Sequence, residues 1–124
     1  MTDLTGDVRP TNINARADRI ATIRRLNDAF RKSDVGGVAA VTPGIKALGM
    51  DALATIVMAV RDYDAFSADN DPYGEHDMGT LVHAGERVFW KIDYYDTELQ
   101  YGSPDPADPK VTARVLIIML ASEY

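Results

Sequence analysis

Apolar positions along the chain follow two rhythms, and the change from one to the other sets the expected architecture. From about Asn14 to Ser33 apolar residues return every three to four positions, so Ile20, Ile23, Leu26 and Phe30 stack on one helical stripe, with Asn14 as N-cap. At about 100° per residue Arg16 and Arg19 fall on the same stripe, whereas Arg24, Arg25 and Lys32 fall off it. Gly36 and Gly37 end this helix, and Val38 to Thr42, small and β-branched, read as a short strand. Thr42-Pro43-Gly44 turns the chain and Ile45 to Leu48 make a single turn. A second helix is then expected from Asp51 to about Tyr63, burying Leu53, Ile56, Val57, Val60 and Tyr63.

Beyond Tyr63 the period shifts from three or four to two. Asp71-Pro72-Tyr73-Gly74 has the residue pattern of a type I turn. Thr80 to His83 and Arg87 to Tyr95 then predict two antiparallel strands joined tightly at Ala84-Gly85-Glu86. In the longer strand Val88, Trp90, Ile92 and Tyr94 share one face, and Arg87, Phe89, Lys91, Asp93 and Tyr95 the other. Aromatic residues on both faces predict helices over part of each. After a proline-rich loop from Tyr101 to Pro109, Asp108-Pro109 reads as a capped helix start. The run from Lys110 to Ser122, apolar around much of its circumference, predicts the most buried helix. The order α-β-α-β-β-α gives a single α+β domain over residues 13–124, a small, mostly antiparallel sheet packed with helices, after a flexible leader at 1–12.

Composition narrows the class. With 46% hydrophobic and 26% charged residues, the 124-residue chain balances like an ordinary globular domain rather than a disordered one. The absence of cysteine excludes disulfides, thiol nucleophiles and cysteine-ligated metals. No apolar run is long enough to span a bilayer and no secretory h-region is present at the start, so a cytoplasmic protein with no membrane partner is expected. The net charge of −6 is unevenly spread: residues 1–61 carry nine Lys/Arg against six Asp/Glu, and residues 62–108 two against twelve. So acidic a middle would repel nucleic acid phosphates and suit a basic protein surface.

Candidate chemistry concentrates between Asp69 and Asp96. Read as a calcium loop from Asp69, the sequence places Asp71 third, Gly74 sixth and Asp77 ninth, but Tyr73 fifth and Thr80 twelfth, where ligands are required. Asp71, His76 and Asp77, with Glu75, Asp93 or Asp96 nearby, form a candidate divalent-metal set, although Asp- and Gly-rich loops more often form turns and caps. For acid-base catalysis the candidates are His76, oriented by Glu75 or Asp93, with Tyr94 or Tyr95 as a second acid. The bland alternative holds His76 within its own loop, and His83, in a strand, reads as structural. No phosphate-binding loop, dinucleotide fingerprint or serine elbow occurs, so no cofactor is expected. As a protein-binding surface the same stretch offers Asp69, Asp71, Glu75, Asp77, Asp93, Tyr95 and Asp96, aromatic anchors beside carboxylates that select a basic partner.

These stretches together carry a resemblance. LNDAFR at Leu26 to Arg31, DNDPYGEHD at Asp69 to Asp77, FWKIDYYD at Phe89 to Asp96 and YGSPDPADP running into VTARVLIIML resemble a bacterial family catalogued as domain of unknown function 3768. Met78 stands where the family motif more usually has phenylalanine. The resemblance supplies no activity, cofactor or catalytic residue. The family's frequency on plasmids and in mobile regions implies an accessory or anti-defence role, for example an anti-CRISPR. The leading expectation is therefore a small acidic binding protein that engages a basic, nucleic-acid-handling protein surface. The alternative is a metal-assisted or acid-base hydrolase centred on His76. A third reading spends the acids within the fold, neutralising Arg16, Arg19 and their neighbours.

Overall fold

The computed structural model describes residues 8–124, with side chains from Asn14 onward. Helix α1 spans Val8–Ser33, strand β1 Gly37–Val41, the one-turn helix α2 Pro43–Lys46 and helix α3 Met50–Arg61. Strands β2 (Met78–His83), β3 (Glu86–Tyr95) and β4 (Ala113–Leu120) follow, and a 3-10 turn at Ala121–Glu123 ends the described chain. The domain is α+β, and the sheet runs β1-β4-β3-β2, antiparallel except where β1 lies parallel to β4.

Two expectations about the helices change. The first helix begins at Val8, so Asn14 lies inside it rather than capping it. Pro10 falls in the first turn, where the backbone N–H has no intrahelical partner to lose. Of the leader expected at 1–12, residues 1–7 lie outside the described residues and Val8 to Asn12 are helical.

The larger correction is at the other end: the run expected as a buried helix is the central strand β4, paired on both sides. Apolarity all round a helix and apolarity on both faces of a strand look alike over eight residues, and Val115, Ile117 and Ile118 are β-branched. Asp108 does cap, but it caps a turn: its carboxylate accepts the Lys110 N–H at 2.9 Å and its carbonyl the Val111 N–H at 3.2 Å.

The core lies between the sheet and the helices. Trp90 and Val88 of β3, Leu116 and Ile118 of β4, Phe30 of α1, Ile45 of α2, and Ile56 and Val60 of α3 are buried together. Gly79 sits opposite Trp90 in the register, and a Cβ there would stand 2.7 Å from the indole Nε1 and from the Tyr63 ring, so the indole occupies the space a side chain would take. The β2–β3 hairpin turns on Ala84 and Gly85, both at positive φ (50° and 84°), the two-residue turn whose twist matches the flanking strands.

Among the described residues every helix packs on this one face, contrary to the expectation of helices on both. On the other face, Val38 and Ala40 of β1 are exposed, Val115 and Ile117 of β4 and Phe89 of β3 are half-buried, and Val82 of β2 is 67% exposed. Tyr124 lays its ring against Phe89 there, centroids 4.8 Å apart.

Candidate functional site

Between α3 and β2 the chain crosses in a long segment, residues 62–77, and α1 holds it by hydrogen bonds from polar side chains. Arg24 donates to the Gly74 carbonyl (2.8 Å) and Asn27 to the Glu75 carbonyl (2.9 Å). Asp71 closes the expected type I turn, its carbonyl accepting the Gly74 N–H at 3.0 Å, and its carboxylate reaches the His76 N–H at 3.2 Å. That acceptor offsets the cost of placing His76 in the left-handed region at φ 56°.

His76 is held by three neighbours. Its Nδ1 lies 3.0 and 3.1 Å from the two carboxylate oxygens of Asp28 on α1, and its Nε2 lies 3.7 Å from Asp71 Oδ2. The ring stacks on Phe66, centroids 3.8 Å apart and planes 4° from parallel. Asp28 also accepts from Arg31 Nη2 at 3.2 Å. Arg31, 1% exposed, donates through Nη1 to the Val60 and Arg61 carbonyls at the end of α3, where the helix dipole favours a cation. Its guanidinium lies 5.1 Å from the Trp90 ring and 5.4 Å from the Phe66 ring. Asp28, Arg31, Lys32, Tyr63, Asp64, Phe66 and His76 line a recess of about 260 Å³.

A second polar group lies behind His76. Buried Asn27 donates to the Tyr94 hydroxyl (2.8 Å) and accepts from Arg114 Nε (2.7 Å), and Tyr94 donates to the Glu75 carboxylate (2.7 Å). Arg114, 2% exposed, also donates to the Pro106 carbonyl (2.6 Å) and covers the Tyr94 ring at 5.2 Å. Burial and donation to Glu75 push the Tyr94 hydroxyl well above the usual phenol range, and burial lowers Arg114. Asp77 is raised, first by burial and next by the Glu75 charge.

The structure divides the residues singled out in the sequence. His76, Asp71, Glu75, Asp77 and Tyr94 gather beside α1; Asp93 and Tyr95 belong to the opposite, uncovered face, where Asp93 pairs with Lys91 at 2.9 Å. Asp93 therefore cannot orient His76. Asp96 caps its own loop, accepting from the Glu98 and Gln100 N–H groups, and Asp69 stands exposed. Arg19 reaches Asp105 at 3.1 Å from the exposed part of α1, and Arg16 is exposed. Among the described residues no group of three or more His, Asp or Glu side chains is arranged to hold a metal ion.

Asn27, Asp28, Arg31 and Arg114 were missed as site residues. A signal for two of them existed: Asn27 and Arg31 continue the apolar stripe from Ile23, so LNDAFR places polar side chains on the buried side of α1.

The same motifs bear on kinship. The profile of a family described as a protein of unknown function, DUF3768, matches residues 41–123, about two thirds of the chain. The chain belongs to the DUF3768 family. The match takes in the acidic crossing, the hairpin and the central strand, whereas α1, with Asn27, Asp28 and Arg31, precedes it. In this DUF3768 protein the helix that clamps His76 thus lies outside the matched segment. No curated protein and no solved structure matches the chain.

Proposed function

We propose that the protein is a binding module whose uncovered sheet face engages a basic protein surface. The observation that supports this reading is the face itself: Val82, Phe89, Val115 and Ile117 stand on it, with no described helix laid over them. Apolar side chains left on an uncovered face suit an interaction site. Acids stand at its border. Asp69, with Pro72, Met78, Thr80 and Phe89, lines a hollow of about 390 Å³ at the β2 edge, and Asp93 lies on the face, paired with Lys91. Apolar anchors inside a charged rim suit a partner with an apolar contact ringed by Lys or Arg. A nucleic-acid-handling defence protein is one such partner, its phosphate-binding surface met by carboxylates.

The test is capture of a partner from the native host followed by zero-length carbodiimide crosslinking. Crosslinks from partner lysines should map to Asp69 and Asp93, and capture should weaken with salt. Phe89→Ser with Ile117→Ser, and separately Asp69→Lys with Asp93→Lys, should abolish capture, while His76→Gln should leave it intact. Capture that survives both double variants refutes the reading.

A second reading has one observation in its favour. Asp28 holds His76 Nδ1 beside the 260 Å³ recess, the arrangement that orients an imidazole for proton transfer. A hydrolase of this kind would lose activity in His76→Gln at unchanged stability, and in Asp28→Asn together with the stability lost from the Arg31 pair.

A further inference from the structure

Among the described residues β1 and β2 form the two edges of the sheet, and β1 is the less protected. It pairs with β4 on one side, and no described strand lies on the other. The Thr42 N–H donates to the Ile118 carbonyl at 3.1 Å, and backbone groups alternate sides along a strand. Val38 and Ala40 therefore point their N–H and C=O groups at β4, and Gly37, Ala39 and Val41 point theirs outward. Exposed edges are usually blunted by charge, proline or a bulge. GVAAV has none of these, and Val38 is 57% exposed with Ala39 and Ala40 exposed beside it. A groove of about 380 Å³ runs along the strand, walled by Leu53, Val57 and Val60 of α3 and floored by Leu116 and Ile118, wide because the β1 side chains facing it are small.

We infer that β1 is a self-association edge and that its occupant is the β1 strand of a second copy, paired antiparallel about a two-fold axis at Ala39. This register pairs Ala39 with its own counterpart and Gly37 with Val41 of the other copy. It forms roughly six main-chain hydrogen bonds and one eight-stranded sheet. Val41 of each copy then meets a glycine, so no side chains collide, and its methyls close the mouth of the groove.

Charge selects this edge over the other. Each copy carries −6, and exposed Asp69 stands at the β2 edge. Pairing through β2 would bring the two acidic crossings together. Pairing through β1 leaves the two β2 strands seven strand spacings apart, about 34 Å at about 4.8 Å each, several times the ~8 Å screening length.

Sedimentation velocity over a concentration series tests this on the full chain. The wild type should sediment at twice 13.6 kDa. Ala39→Pro removes an outward N–H without touching the β4 ladder, and Ala40→Lys sets like charges about the axis. Each should weaken association by about tenfold or more with unchanged circular dichroism. Ala40→Lys decides alone should the proline variant not fold. A wild type that stays at 13.6 kDa at its highest soluble concentration overturns the inference. So does a dimer that persists in Ala40→Lys, or one dissolved by Phe89→Asp instead. Mass alone decides these outcomes, independently of any partner captured on the sheet face.

Discussion

Arg31 shows how a single residue ties the pieces together. It is buried, it pairs with Asp28, and it caps α3 through two carbonyls while two aromatic rings receive its charge. Arg31→Met leaves the Val60 and Arg61 carbonyls without their buried donor, so chemical denaturation should show a loss of about 1–3 kcal/mol. Asn27→Ala strips a partner from both Arg114 and Tyr94, and should cost about 2–4 kcal/mol by the same measurement. Asp77 acts in the opposite sense. Its folded pKa is raised by burial and by Glu75, so its contribution to stability is complete at low pH and is lost as pH rises through the folded value. Asp77→Asn should therefore raise the melting temperature at neutral pH and leave it nearly unchanged in acid. Of the acids in residues 62–108, Asp105 meets Arg19 and Asp71, Asp96 and Asp108 accept from backbone N–H groups, while Asp28 and Asp34, which meet Arg31 and Arg61, lie outside that stretch.

At the scale of elements, what was legible depended on whether a local pattern had one reading or two. The α1 stripe, the Asp71 turn and the Ala84-Gly85 hairpin were legible because periodicity and turn chemistry are local and point one way. The final apolar run had two readings, and a cap-like Asp-Pro favoured the wrong one. What decides it is β1 and β3, which supply partners on both sides of β4. Close backbone contact makes β1 sensitive as well. A Cβ on Gly37 would stand 2.1 Å from the Arg114 carbonyl oxygen, and the atom it meets is main chain. Gly37→Ala should lower the thermal midpoint by several degrees, corresponding to at least about 2 kcal/mol. The end of β4 is clasped by Glu123, which accepts from Thr42 Oγ1 (2.6 Å) and from the Leu120 and Gly44 N–H groups, and these bonds hold its carboxyl below the usual range. That contribution is present above the unfolded pKa and is lost as pH falls through the folded one. Glu123→Gln should accordingly reduce stability at neutral pH and remove that part of the acid-side decline.

For the whole molecule, the sequence by itself settled the class of domain, the uneven charge, the exclusion of thiol chemistry and the positions of most turns. Each is a property of composition or of neighbours within a few positions. It could not settle which face of the sheet the helices cover, nor that Asp93 and His76 end on opposite sides, because sequence distance says nothing about layers. Nor could it show that α1 clamps the acidic crossing, since Asp28 and His76 meet across 48 positions and only packing brings them to 3.0 Å. A one-residue change of register moves a side chain to the other side of a sheet. The partition of the acids between fold and surface was therefore decided by tertiary structure, where strand pairing and helix docking fix which carboxylates find internal donors and which stay exposed.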